Sequence, residues 1–287
     1  MSIQSDIYSL RDQYPPSMRR VADMILSHPQ LVVERTISEL AQLCKTSETT
    51  IVRFARTLGF SGYAPMKIGM TAELATEAAK FGSGNGYGSD IGPDDSISEM
   101  VAKISASELF AIQETASCLN LSVLQDVINC VSSAPRVISF GVAASNVGAR
   151  DLSEKLLRIS RFSLSFSDAH DAISSASLLT PGDVAIGFSH AGRTQEVCEL
   201  LRIARASGAT TVVITNVDES PVSHFADLCL RTAVRETAFR SGAMASRIAQ
   251  LTIVDYIFVG VARKNMVESV DALKLTHESL NAFRKDY

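Results

Sequence analysis

The chain has 287 residues, of which 46% are hydrophobic and 20% are charged, and its formal net charge is −4. This length allows two domains with substantial apolar cores, and the mild acidity excludes a basic coat that binds polyanions generally. The five cysteines are scattered and form no CxxC pair, which excludes a disulfide framework or a zinc site and is typical of a reducing cytosol. There is no secretory signal pattern, and the most apolar run, 248–262, is shorter than the roughly 20 residues of a bilayer span. We therefore expect a soluble, cytoplasmic protein.

The segment Thr36–Phe60 has the pattern of two short helices joined by a tight turn. Thr36 and Glu39 have the spacing of a capping box, and Leu40, Ala41 and Leu43 give the first helix an apolar face. The turn follows at 44–46. The pattern predicts a helix-turn-helix, and an ordinary helical hairpin with a solvated face is the alternative.

The second helix of this segment has its own start and stop signals. Ser47 is a typical N-cap, and Gly59 stands where a left-handed C-terminal cap favours glycine. Helical spacing directs Ile51, Phe54 (or Ala55) and Leu58 inward. Short polar groups at the helix start and arginines further along suit a helix in a DNA major groove. The predicted DNA-binding residues are Lys45, Ser47, Glu48, Thr49, Thr50, Arg53 and Arg56.

Charge favours the same interpretation. The block from Arg35 to Lys67 has five cationic residues and two acidic ones, so it is net +3 within an acidic chain. A local excess of positive charge favours contact with DNA phosphates through this small helical block.

The N-terminal block has further helical segments and ends in a glycine-rich stretch. Helices are predicted from Pro16-Ser17 to just before His28 and over 64–80. Five glycines among small polar residues then make Phe81–Pro93 a predicted flexible linker. The predicted domains are 1–80, a linker at 81–93, and 94–287.

Beyond the linker the pattern alternates between strands and helices. After two helices at 97–118 and 121–131, strands are predicted at 137–141, 162–166, 184–188, 210–215 and 227–230. Helices are predicted at 149–159, at 194–207 and at 239–262, and a further helix follows the strand at 162–166 and ends at 179. This alternation predicts a parallel sheet covered on both faces, with ligands at the carboxyl ends of its strands.

Two loops after predicted strands place hydroxyls and backbone N–H groups at the start of a helix. They are Gly141–Gly148 (GVAASNVG) and Ser189–Glu196 (SHAGRTQE). Helix N-termini favour anions, and Gly192 lets the backbone approach closely, so phosphate is the expected guest. Neither loop has a dinucleotide fingerprint or a P-loop lysine. The alternative is that Ser145 and Ser189 only cap helices, but two equivalent loops in one sheet favour a phosphorylated small molecule.

The chain resembles the RpiR family of transcriptional regulators, in which a helix-turn-helix domain is joined to a sugar isomerase (SIS) domain. The resemblance extends from about Pro16 to Ala262. Four segments carry it: Thr46–Tyr63 (TSETTIVRFARTLGFSGY), Phe140–Leu156 (FGVAASNVGARDLSEKL), Phe188–Val197 (FSHAGRTQEV) and Arg235–Leu251 (RETAFRSGAMASRIAQL). It implies an all-α helix-turn-helix N-terminal domain followed by an α/β three-layer SIS domain with a parallel sheet of about five strands.

The resemblance also implies that the SIS domain senses a phosphosugar and modulates operator binding. Ser145 and Asn146 would hold the ligand from the first loop, and Ser189 and Thr194 from the second. Such second loops usually read Ser-x-Ser-Gly-x-Thr, and Ala191 here removes one hydroxyl, worth about 1 kcal/mol. The predicted ligand-binding set is Ser145, Asn146, Ser189, His190, Ala191, Gly192, Thr194 and Glu236. No metal or cofactor is expected.

Two alternatives to a regulator follow from the sequence. A SIS-type phosphosugar isomerase or lyase with an accessory helical domain needs a general base, for which Glu196, Glu236, His170 and His190 are candidates without an obvious acid partner. With a DNA-binding module attached, we expect no enzyme. The other alternative is an adaptor whose N-terminal helices bind a protein.

The expected partners are operator DNA, a phosphosugar effector and further copies of the chain, with no membrane. A single short recognition helix binds operator DNA weakly, and a second copy from a symmetry-related subunit raises the affinity. We therefore expect a homodimer or homotetramer. The helix predicted at 239–262 is apolar almost all round, and part of it is expected to pack against another subunit.

Overall fold

The computed structural model describes residues 3–81, 91–234 and 243–285. The chain forms two compact units, one from the described residues of Met1–Ser117 with Ala233–Ala245, the other from those of Cys118–Thr232 with Ser246–Tyr287. Most of the predicted linker, 82–90, lies outside the described residues. The domain limits at 80 and 94 therefore stay predictions.

The described part of the first unit is helical. Its elements are α1 (Ile3–Leu10), a 3-10 helix (Arg11–Gln13), α2 (Pro16–Ser27), α3 (Gln30–Glu34), α4 (Ile37–Leu43), α5 (Glu48–Thr57), α6 (Tyr63–Phe81) and α7 (Ile97–Cys118). The helices predicted near 16–27, 64–80 and 97–118 are confirmed. The short helices α1 and α3 were not predicted.

The core of the helical block joins α1, α2, α4, α5 and α6. Its fully buried side chains include Ile7, Ile25, Leu40, Phe54 and Met66. The prediction that Leu43 faces inward is wrong, since this side chain is 45% exposed. Cys44, one position further round the helix, is buried instead, because the apolar face of α4 runs along positions 40, 41 and 44.

The second unit contains a five-stranded parallel sheet in the order β2-β1-β3-β4-β5. The strands are β1 (Val137–Gly141), β2 (Ser163–Phe166), β3 (Val184–Phe188), β4 (Thr210–Thr215) and β5 (Leu228–Arg231). The helices are α8 (Leu121–Ser133), α9 (Ala144–Arg158), α10 (Ala169–Ala176), α11 (Gln195–Ala206), α12 (Met244–Lys264) and α13 (Met266–Lys285), with a 3-10 helix at Ser223–Phe225. The predicted strands and α/β alternation are confirmed.

Two predicted helix starts differ from the structure, one predicted helix end differs (α10 ends at Ala176 rather than at 179), and one helix was not predicted. Helix α9 begins at Ala144 rather than at 149, because the polar loop residues 144–148 already form its first turn. The last predicted helix was placed from 239, but 239–242 lie outside the described residues and α12 begins at Met244. Helix α13 was not predicted.

Alternate residues of the strands enter two separate cores, one on each face of the sheet. Val137 and Ile186 pack with α8, α9 and α12, whereas Ile138 and Val213 pack with α10 and α11. The result is a three-layer α/β/α arrangement. Among the described residues, one helix, α12, is long and apolar enough to cross a membrane by length and composition alone; its side chains Ile253 and Ile257 are fully buried in the first of these cores.

Candidate functional site

The predicted helix-turn-helix is formed by α4 and α5. Thr36 Oγ1 accepts a hydrogen bond from the Glu39 backbone at 3.3 Å, and Glu39 Oε2 accepts one from the Thr36 backbone at 2.8 Å, so the capping box is confirmed. Arg20 on α2 donates to the carbonyls of Cys44 at 3.1 Å and Lys45 at 2.9 Å. Arg20 therefore satisfies carbonyl groups at the end of α4 and holds the turn.

Helix α5 has the caps and the buried face that its sequence predicts. Ser47 Oγ accepts from the Thr50 backbone at 3.2 Å, and Gly59 adopts a φ of +83°. Ile51, Phe54 and Ala55 are completely buried. Packing against the core thus fixes which side of α5 faces solvent.

That solvent-facing side gathers the predicted DNA-binding residues. Lys45, Ser47, Glu48, Thr49, Arg53 and Arg56 are exposed, and Thr50 is half-buried. Two arginines on successive turns and short polar groups at the helix start therefore share one surface. Glu48 is also held from α4, because Ser38 Oγ donates to its Oε1 at 2.5 Å.

A second set of hydrogen bonds fixes the segment that leads into α4. Tyr63 donates from its hydroxyl to the carbonyls of Val32 at 3.1 Å and Arg35 at 2.9 Å, and Lys67 Nζ also donates to Arg35 O at 2.9 Å. Burial raises the pKa of Tyr63 to about 12. The phenol is therefore a neutral donor at physiological pH.

The two predicted ligand loops meet at the edge of the sheet where β1 and β3 end. These strands are direct neighbours, with Gly141 paired to Phe188 at their last position. The crossover from β1 passes to β2 on one side, whereas β3 leads to β4 on the other. The gap between β1 and β3 is thus the topological switch point, where ligands bind in open parallel sheets.

The first loop places Ser145 and Asn146 in the opening turn of α9. The N-cap of this helix is Ala143, which has a φ of +53° and no side-chain capping bond. Ser145 Oγ accepts a hydrogen bond from Gln250 Nε2 at 3.2 Å. Asn146 Oδ1 is buried, with no hydrogen-bond partner among the residues that the structure describes.

The second loop is folded tightly around Ser189. This residue is 1% exposed, and its Oγ lies 2.9 Å from Thr194 Oγ1. Gly192 has a φ of +68°, and a Cβ there would collide with the side chain of Ser220, so the turn requires glycine. Thr194 is the N-cap of α11 but makes no side-chain capping bond.

The starts of α9 and α11 bear on the alternative in which the serines only cap helices, which stays open. Side chains cap α4, α5, α8 and α10, whereas α9 and α11 have no side-chain cap. The starts of α9 and α11 thus have no side-chain capping bond, as is also true of α2 and α3, and an anion can bind to the backbone N–H groups of such N-termini.

The remaining predicted site residues are placed less centrally. His190 is half-buried, and its carbonyl accepts from the Asn216 backbone at 3.0 Å. Ala191 is exposed, and Glu236 lies outside the described residues. His170 and Glu196, the other candidate bases, are exposed in the first turns of α10 and α11.

Sequence reasoning missed two residues that contact these sites, Gln250 and Arg20. Each reaches its partner across a long chain separation, and although Gln250 lies in the 235–251 segment that carries the family resemblance, nothing in that segment indicates a contact with Ser145. Within 3–81, 91–234 and 243–285, no group of three or more His, Cys, Asp or Glu side chains is arranged to hold a metal ion.

Together, the exposed helix-turn-helix and the two loops define a class, a helix-turn-helix protein with a parallel α/β second domain. The rpiR-family helix-turn-helix domain matches residues 1–77, and the SIS domain matches residues 131–260. An uncharacterized HTH-type transcriptional regulator of Caldanaerobacter subterraneus subsp. tengcongensis is 37% identical over 275 residues, which cover 96% of this chain and 95% of that protein. The chain therefore belongs to the RpiR family and is a transcriptional regulator with an N-terminal helix-turn-helix and a C-terminal SIS domain.

Two solved structures resemble the fold. The Vibrio vulnificus NanR protein complexed with ManNAc-6P is 26% identical, with a TM-score of 0.61 and coverage of 98% of this chain and 99% of that one. The sugar isomerase domain of an RpiR transcription factor from Sphaerobacter thermophilus is 17% identical, with a TM-score of 0.56 and coverage of 63% of this chain and 99% of that one, and this likeness concerns the fold alone.

Proposed function

We propose that the SIS domain binds a phosphorylated sugar and that this binding changes the affinity of the helix-turn-helix for operator DNA. The observation that carries the proposal is the convergence of Ser145 with the Ser189–Thr194 pair at the carboxyl ends of neighbouring strands. The likeness to NanR, whose structure holds ManNAc-6P, supports this ligand class.

The phosphate subsite in this proposal lies between the starts of α9 and α11. The hydroxyl of Ser145 and one hydroxyl of the hydrogen-bonded Ser189–Thr194 pair supply donors to phosphate oxygens, and the two helix dipoles add positive potential. Ala191 contributes only its backbone N–H, so we infer a site that binds severalfold more weakly than one with serine there, at about 1 kcal/mol per hydrogen bond. The buried acceptor of Asn146 suits a sugar hydroxyl, which can donate to it.

The DNA side of the proposal rests on the exposed face of α5. We infer that Ser47, Thr49 and Thr50 approach base edges, while Arg53 and Arg56 contact bases or phosphates one and two turns on. Lys45 and Glu48 flank the start of this helix. Because one α5 helix is short, we propose that two copies of the chain bind a two-fold operator as a homo-oligomer. We further propose that part of α12, including the exposed Val259, packs against another subunit.

We further infer that the protein regulates and does not catalyse. Isomerisation needs a base placed against the substrate carbon and a partner that tunes it. The side chains of His170 and Glu196 make no hydrogen bond or ion pair to any residue in the described ranges. Relatives named as HTH-type transcriptional regulators support the same conclusion.

Thermal unfolding against a panel of sugar phosphates tests the ligand proposal, with the matched non-phosphorylated sugars as controls. A ligand at a hundredfold excess over its dissociation constant stabilises the native state by about 2.7 kcal/mol. We expect a shift with one phosphosugar and none with its parent sugar. Equal shifts with both sugars, or none across a panel that includes ManNAc-6P, would contradict the proposal.

A further inference from the structure

Gln250 contacts the first ligand loop from a distant part of the chain. It lies on α12, is 2% exposed, and its Nε2 donates to Ser145 Oγ at 3.2 Å across 105 residues of sequence. A buried primary amide costs free energy unless it is hydrogen-bonded. An apolar side chain would avoid this cost, so the presence of an amide beside Ser145 suggests a role for its hydrogen bond.

The close approach of α12 to α9 is built into both helices. A Cβ at Gly148 would lie 3.0 Å from the Phe188 ring and would only touch Gln250 Cβ, at 3.6 Å, so α9 and α12 lie side by side at this point. Further along, Lys155 Nζ on α9 lies 2.5 Å from Asp255 Oδ1 on α12. The amide of Gln250 is thus held against the first turn of α9.

The direction of this hydrogen bond sets the chemistry of the serine. An amide N–H group can only donate, so Ser145 Oγ acts as the acceptor toward Gln250. The single hydroxyl proton of Ser145 is then left for a different acceptor. Phosphate oxygens are acceptors, whereas a ligand group that offers only N–H or O–H donors would compete with Gln250 for the lone pairs of Ser145.

We propose that Gln250 is a positioning residue that orients the Ser145 hydroxyl as a donor to an anionic ligand and so helps the site select phosphate. This inference rests on the proposed phosphosugar function. Gln250 acts through Ser145 and does not itself touch the ligand.

A double-mutant cycle tests the proposal with inorganic phosphate, the group that all phosphosugars share, and with ManNAc-6P. Gln250→Met keeps the length and removes the amide donor. We expect it to weaken the binding of each bound probe about fivefold, the equivalent of one net hydrogen bond. In a Ser145→Ala background the same substitution is expected to cause no further loss, because the group through which it acts is gone.

Two more variants make the cycle decisive. Gln250→Glu is nearly isosteric but places an acceptor and a negative charge beside Ser145, so we expect it to weaken ligand binding more than tenfold. This variant keeps the test usable if Gln250→Met folds poorly. Arg263→Gln, an exposed position on the same helix outside these contacts, is the control, with binding expected at the wild-type level. Melting temperatures of all variants separate binding losses from misfolding.

The outcomes distinguish this inference from the proposed function. Equal losses from Gln250→Met with and without Ser145, or unchanged binding by both Gln250 variants, would overturn the positioning role and leave the phosphosugar proposal standing. Failure of the wild-type protein to bind phosphate or any phosphosugar would overturn both.

Discussion

The hydroxyl of Ser38 donates a hydrogen bond to Oε1 of Glu48 at 2.5 Å, and this contact ties α4 to the first residue of α5. The carboxylate lies at the positive end of the α5 dipole, which favours a negative charge there. It is also an acidic group on a surface that otherwise presents hydroxyls and arginines. Glu48 therefore combines a structural contact with a charge that repels phosphates.

Replacing Glu48 by glutamine separates these two properties. The amide oxygen still accepts from Ser38, while the negative charge is lost, so we expect DNA affinity at low salt to rise about two- to fivefold. Fluorescence anisotropy with a duplex selected from a random library measures this. A changed base preference after renewed selection would contradict the account, since it would mean that the Glu48 carboxylate reads a base.

The second prediction concerns Arg53 and Arg56 on the exposed face of α5. Alanine at either is expected to cost about 1–3 kcal/mol of DNA-binding free energy, with the melting temperature almost unchanged because both side chains are exposed. Arg202→Ala, an exposed arginine on α11 paired with Glu199, is the matched control. Wild-type DNA affinity in both Arg53→Ala and Arg56→Ala would favour the adaptor alternative instead.

Much of the fold was predictable because its signals are local. Caps at Thr36, Ser47 and Gly59 and short apolar runs such as 184–188 mark element ends within a few residues. Helix α1 is different, since it is short and is fixed by tertiary contacts such as the one between Gln4 and Glu73 at 3.0 Å. Helix α13 has several exposed apolar residues, among them Val267 and Leu275, which blur the amphipathic pattern.

In the candidate site, too, local features could be predicted from the sequence and long-range contacts could not. Loop residues such as Ser145 and Ser189 could be predicted because strand ends in a parallel sheet must meet at one edge. The long-range contacts could not, because Gln250 reaches Ser145 across 105 residues and Arg20 reaches Cys44 across 24, through packing that no local pattern records.

Ala191 gives the third prediction. Serine at this exposed position restores the hydroxyl that such loops usually have, so we expect Ala191→Ser to bind the effector phosphosugar about fivefold more tightly. Isothermal titration of both proteins measures the change, and Ala191→Val serves as a control for size. Unchanged affinity would place the phosphate away from residue 191.

The fourth prediction concerns the opposite end of the strands, where Asp183 precedes β3. Its carboxylate is buried and accepts from Arg136 Nη2 at 2.5 Å and from the Thr180 backbone at 2.8 Å. Burial alone would raise the pKa of Asp183, but the hydrogen bonds from Arg136 and Thr180 outweigh it and hold the pKa below its usual range.

Because the folded-state pKa lies below the unfolded value of about 3.9, the stabilisation is complete at neutral pH and is lost as pH falls through the folded pKa. Asp183→Asn is expected to lower the free energy of unfolding by about 2 kcal/mol at pH 7, with a difference from wild type that shrinks below about pH 4. Urea unfolding between these pH values provides the measurement. A difference that stays constant with pH would show that the charge of Asp183 contributes nothing.

The central claim is that phosphosugar binding at the two loops changes DNA affinity. The most direct test is DNA anisotropy with and without the phosphosugar that stabilises the wild-type protein, repeated with the Ser145→Ala/Ser189→Ala double variant. Because linkage is reciprocal, a ligand that shifts DNA affinity must itself bind the DNA-free and DNA-bound protein differently by the same factor. We predict that wild-type DNA affinity changes with ligand, whereas the double variant binds DNA normally and does not respond. A double variant that still responds fully would contradict the account.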